Sequence, residues 1–139
     1  MSTGERHRFR CAMRWGDMDA YGHVNNVVYL SYLEEARVDM LFTLGSEVGV
    51  RALSDGVLVA RHEIEYKRPL VYHPRGVDID LWVGAIKAAS FEIRYEVHDD
   101  SMLFARAASL LVPYDLDAEH PRRLTPEERA FLERYVEAG

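Results

Sequence analysis

The sequence predicts an α+β fold, one long buried helix against a largely antiparallel sheet. Three observations predict it. Residues 6–15, 77–83 and 90–97 alternate apolar and polar side chains with period two. Residues 27–44 carry apolar side chains at helical spacing over about five turns. The later strand-like runs are joined by short polar connections, with no room for intervening helices.

The elements follow in order. In 6–15, His7, Phe9, Cys11, Met13 and Trp15 share one face, and Arg6, Arg8, Arg10 and Arg14 the other. That is a half-buried strand with a solvated arginine row. In 27–44 the polar residues Ser31, Glu35 and Asp39 recur every four positions, so they form one narrow stripe. A helix apolar around most of its girth must be covered on several sides, and a curved sheet wrapped around it would do that. Gly45 is its expected stop. Residues 57–68 are a second strand. Residues 77–83, 90–97 and 102–113 read as an antiparallel meander, with His98-Asp99-Asp100-Ser101 supplying turn chemistry and Pro113 an end. Thr125-Pro126-Glu127-Glu128 has the cap, N1 proline and early acids of a helix start, so a helix is expected over 126–136.

The 139 residues, 48% of them hydrophobic, suit one domain spanning 1–139. No uncharged apolar run of about 18 or more residues occurs, which predicts no membrane span. The N-terminus MSTGERHRFR has no apolar secretory core. A single cysteine, Cys11, has no internal disulfide partner, and a cytoplasmic location is the expectation. The net charge of −6 lacks the basic footprint of a nucleic-acid binder. The six histidines show no zinc-like spacing, so no metal and no cofactor is expected. G-x-S-x-G, P-loop and G-x-G-x-x-G motifs are absent.

Chemistry concentrates between the first strand and the long helix, in DMDAYGHVNN (17–26). A strand-to-helix junction sets polar groups beside unpaired helix amides and the positive end of the helix dipole. A developing oxyanion is stabilised there. Gly22 gives the turn its backbone freedom and Asn25 is a candidate N-cap. Taken singly, each of these residues also fits an ordinary cap or turn.

The run DMDAYGHVNNVVYLSYLEEAR resembles the signature of hotdog-fold thioesterases of the 4-hydroxybenzoyl-CoA thioesterase type. EYKRPLVYHPRGVDIDLWV, AASFEIRYEV and PRRLTPEERAFL resemble later segments of the same family. The resemblance implies a hotdog fold, a curved antiparallel sheet wrapped around the long helix. It further implies a homodimer or homotetramer with acyl-CoA sites between protomers. In the aspartate-dependent branch the second acid acts, which is Asp19 here, as nucleophile or as base toward water. The helix-start amide that polarises the thioester carbonyl falls on Asn26. His23 and Asn25 match the G-H-V-N-N motif and are implied to position substrate or the acid, and Tyr29 to bind substrate. Asp17 is read as a structural cap.

For the nucleotide end, Lys67 and Arg68 before the Pro69 bend are the candidate phosphate contacts, with Arg61, Lys87 and Arg94 on neighbouring strands. Trp82, Phe91 and residues 45–56 are candidates to shape the acyl pocket. The implied reaction is hydrolysis of an acyl-CoA to free acid and CoA. The rivals are an acyl-carrier-protein thioesterase using the Arg6/Arg8/Arg10/Arg14 face, a non-catalytic acyl-CoA-binding module and a hotdog dehydratase. The module is disfavoured by the retained Asp19 and by a length that leaves no room for a DNA-binding segment.

Overall fold

Backbone pairing turns the alternating segments into one antiparallel sheet. The computed structural model describes residues 4–44 and 56–137. Its elements are β1 (His7–Cys11), a 3₁₀ turn (Trp15–Asp17), α1 (Asn26–Val38) continued by a π-helical turn (Asp39–Leu44), β2 (Val57–Tyr66), β3 (Val77–Ile86), β4 (Phe91–His98), β5 (Leu103–Asp115), β6 (His120–Pro121) and α2 (Pro126–Glu133). Strand order is β1-β3-β4-β5-β2, with the two-residue β6 paired to β5. The curved sheet forms a half-barrel around α1, the hotdog arrangement.

The expected meander is present as β3-β4-β5. Phe91, Ile93, Tyr95 and Val97 on one face of β4 are all fully buried. Each such side chain contributes about 1.5–3 kcal/mol through area removed from water. On β3 both faces are covered. Val77, Ile79, Leu81 and Val83 enter the core, while the opposite row is covered by the arginines of β1. Arg8 stands opposite Asp80 and Arg10 opposite Asp78, and the guanidinium of Arg6 lies 3.9 Å over the Trp82 ring. The arginine row is therefore ion-paired rather than merely solvated.

Several boundaries differ from expectation. β1 ends at Cys11, four residues early, and Trp15 is 75% exposed, edge-on to Tyr72 at 5.6 Å. β5 runs past Pro113 to Asp115, because Pro113 sits opposite Val57 at the start of β2 and a missing donor costs little there. The C-terminal helix stops at Glu133. The α-helix proper ends at Val38, where six residues of π geometry take over. Gly45 and residues 45–55 lie outside the described residues.

The long helix buries Tyr29, Tyr32, Leu33 and Ala36, then Met40 and Leu41. Its other side is uncovered among the described residues, with Val27, Leu30, Val38 and Phe42 exposed. The sheet covers one face, not the several that the apolar girth predicts.

Candidate active site

The helix start is built from its own sequence. The Asn25 side chain caps α1 by accepting the Val27 amide at 2.8 Å. Asn25 N–H in turn donates to the Asp17 carbonyl at 3.1 Å. Gly22, at φ +77°, closes the turn by donating to the Asp19 carbonyl. The β2–β3 connection is fastened to this turn: Val24 N–H donates to Leu70 O at 2.8 Å, and Tyr72 N–H meets the Met18 sulfur at 3.3 Å. Gly76 permits that connection, since a Cβ there would stand 2.3 Å from Cys11 O.

The two acids are placed differently. Asp17 is 6% exposed and its oxygens are taken. Its Oδ2 accepts the Tyr32 hydroxyl at 2.5 Å and the Arg14 amide at 2.9 Å, and Arg14 Nε lies 3.5 Å from Oδ1. Burial alone would raise its pKa. The Tyr32 hydroxyl with the Arg14 amide and guanidinium outweighs that and holds the carboxyl below its ordinary range. Asp19 is half-buried. Its Oδ1 accepts the amides of Tyr21 (2.9 Å) and His23 (3.4 Å), which fixes the carboxylate on its own turn. Its Oδ2 has no partner among the described residues. Asn26 opens α1, and its N–H is among the four helix-start amides without an intrahelical acceptor.

Beside this turn lies a groove of about 310 Å³. It is lined by His23, Tyr29, Tyr66, Lys67 and Arg68, with Val24 and Pro69–Leu70 beneath. Four sequence candidates thus share one surface. Asn25 and Asn26 form the helix start and Asp19 lies on the turn before it; none of the three lines the groove. Lys67 pairs with Glu65, whereas the Arg68 side chain is exposed and unpaired among the described residues. Both of their backbone amides donate to Phe104 O. Tyr66 was missed. It is the last residue of β2, and its one signal is its place directly before Lys67 and Arg68. Trp82 and Phe91 do not reach the groove: one is covered by Arg6, the other is in the core. Arg94 is paired to Glu92 at 2.7 Å.

Two further groups have settled chemistry. The buried Cys11 thiol is pushed up to about 12 by burial and by the nearby carboxylates, so it is not a thiolate nucleophile. Asp78, His98 and Asp100 bring potential metal-ligand atoms within 4.8 Å of one another. Arg10 already binds Asp78 and Arg8 reaches Asp100, so a cation there would have to displace two guanidinium groups.

A profile of the thioesterase-like superfamily matches residues 13–134. The chain belongs to the thioesterase-like superfamily. A curated member, the long-chain acyl-CoA thioesterase FadM of Escherichia coli, is 43% identical over 54 residues, 39% of this chain and 41% of FadM. The chain therefore matches less than half the length of that curated relative. Among solved structures, the PA2801 protein of Pseudomonas aeruginosa, described as a proposed thioesterase, superposes with a TM-score of 0.77 at 33% identity. That match covers 89% of this chain and 95% of the other. A Thermus thermophilus thioesterase complexed with coenzyme A and zinc superposes with a TM-score of 0.75 at 27% identity, covering 90% of each. These thioesterase-superfamily structures share the half-barrel and its helix. Among the described residues no helix is long and apolar enough to cross a membrane.

Proposed function

We propose that this chain hydrolyses acyl-CoA thioesters to free acid and CoA, with Asp19 as the reactive carboxylate. The single observation that carries the reading is the contrast between the acids. Asp17 has its oxygens engaged, while Asp19, on the turn that leads into α1, is fixed through one oxygen and keeps the other without a partner among the described residues. Asp19 attacks the thioester carbon directly or removes a proton from an attacking water. The carbonyl π pair moves to oxygen, and the Asn26 amide with the helix dipole stabilises that charge. Collapse of the intermediate breaks the C–S bond and releases the CoA thiolate. After attack by water this leaves the free acid. After direct attack it leaves a mixed anhydride on Asp19 that a water then hydrolyses to the free acid, restoring the carboxylate.

A thioester needs modest assistance because the thiolate leaves readily. Positioned acid–base help supplies roughly 10²–10⁴-fold. One oxyanion donor supplies roughly 10²–10³-fold. His23 and Asn25 set the turn that carries Asp19, the latter by capping the helix. The groove takes the substrate past Tyr29, and Lys67 and the unpaired Arg68 meet the phosphates of CoA. No metal or cofactor enters this scheme.

The acting form is a homodimer or homotetramer. Val27, Leu30, Val38 and Phe42 leave an apolar stripe on α1, and β2 is an edge strand exposing Leu58 and Val59. A second protomer covers both. The location is cytoplasmic. Docking of an acidic carrier protein on β1 is disfavoured, because Arg6, Arg8 and Arg10 are bound to Glu96, Asp80 and Asp78.

The test is thiol release from butyryl-, palmitoyl- and benzoyl-CoA. Turnover of at least one substrate at a kcat/KM of about 10⁴ M⁻¹s⁻¹ or above supports the reading. Inertness toward all three, with intact binding of CoA, would return it to an acyl-CoA-binding module.

A further inference from the structure

Tyr29 is 3% exposed, yet its hydroxyl has no hydrogen-bond partner among the described residues. It is the one such buried side-chain atom among the described residues. A hydroxyl buried without a partner is destabilising, and phenylalanine would fill the same site without it. Such a group persists where something outside the resting fold meets it. The ring is packed on two sides, 5.2 Å from Tyr66 edge-on and 6.3 Å from Tyr32.

The residue belongs to the groove beside the proposed site. Tyr29 lines the groove with His23, Lys67 and Arg68. It stands three residues after Asn26, so the two share a helix face. Long helical side chains lean toward the helix N-terminus, which carries the hydroxyl back over the turn that Asn26 begins. Burial pushes the hydroxyl above the usual tyrosine range, so it remains a protonated donor at any working pH.

We propose that the Tyr29 hydroxyl is a second hydrogen-bond donor to the thioester carbonyl oxygen, acting beside the Asn26 amide. This rests on the acyl-CoA reading above. When the carbonyl carbon is attacked, its π electron pair moves to oxygen, and the two donors share the resulting charge. The tyrosine proton is not transferred. Collapse of the intermediate returns the electron pair, expels the CoA thiolate and frees both donors.

Tyr29→Phe in the full-length protein tests it. The melting temperature should equal or exceed that of the wild type, since an unbonded buried hydroxyl is removed. The kcat should fall on the order of 10²-fold with KM little changed, as for loss of one oxyanion donor. Two non-hydrolysable CoA analogues give a readout independent of turnover. One keeps the carbonyl as a ketone, with CH₂ in place of sulfur. The other is a thioether with CH₂ in place of the carbonyl. The variant should bind the ketone at least several-fold more weakly and the thioether unchanged. Unchanged or equally weakened binding of both analogues overturns the proposal. So does a lower melting temperature, which would assign the hydroxyl a protein partner in the assembled oligomer. An active Tyr29→Phe beside an inactive Asp19→Asn defeats this inference and leaves the hydrolase reading standing. A wild type inert to every acyl-CoA removes that reading, while the analogue comparison still decides the role of Tyr29.

Discussion

At the scale of residues, the outcome turns on two carboxylates two positions apart. The sequence shows both and cannot rank them by spacing. What separates them is Tyr32, fifteen residues later, whose hydroxyl reaches Asp17 only once α1 has formed. The same limit applies to the arginines of β1. Their alternation is visible in the sequence, but the acids that hold them lie some seventy residues on. Asp17→Asn should lower stability by about 2 kcal/mol, from a buried charged acceptor lost to Tyr32 and Arg14. Its turnover well below the melting transition should stay near wild type. The pH dependence follows from the direction of the shift. The folded pKa of Asp17 lies below its unfolded value, so its stabilisation is present above about pH 3.9. It is lost as pH falls through the folded value. The stability gap between wild type and Asp17→Asn should therefore be full at pH 7 and shrink below about pH 4. Urea unfolding at the two pH values checks this, and a gap that widens on acidification contradicts it.

At the scale of elements, period-two and helical patterns located the strands of the meander and the long helix, because each pattern reports which face meets the core, while cap and proline chemistry located the second helix. Ends were less legible. Pro113 stays inside β5 because its partner is the first residue of an edge strand, which no local signal reveals. The two-residue β6 has no period to detect. Turn chemistry was readable. Gly22 adopts φ +77° with nothing within 4 Å of a built Cβ, so Gly22→Ala should cost about 1 kcal/mol from backbone strain alone. Gly22→Asn should cost less, since asparagine tolerates that region. At the far end, Thr125 Oγ1 accepts the Glu128 amide while the Glu128 carboxylate accepts Thr125 N–H. Thr125→Ala should cost about 1 kcal/mol. Thermal melts rank all three. An alanine at 22 no worse than asparagine would remove the strain argument.

At the scale of the whole molecule, the apolar girth of the 27–44 segment foretold more cover than the described residues supply. Sequence reports how much of a helix wants burial, not which chain buries it. The uncovered stripe on α1 and the edge of β2 account for the difference if a second protomer packs there. The wild type should sediment as a dimer or tetramer. Val27→Asp with Leu30→Asp should shift it toward monomer and lower turnover together, and a monomeric wild type with full activity would contradict that assembly. Strand order was the least legible feature, since β2 crosses the sheet to pair with β5 through contacts distant in sequence. The central claim, that the free oxygen of Asp19 performs the chemistry, has one direct measurement: thiol release by Asp19→Asn, followed with the best acyl-CoA of the wild type. The amide oxygen of asparagine can still accept the Tyr21 and His23 amides, so the turn and the melting temperature should be kept. Turnover should fall at least about 10²-fold, the lower end for a positioned acid–base group. Turnover near that of the wild type in a folded Asp19→Asn protein would contradict the account.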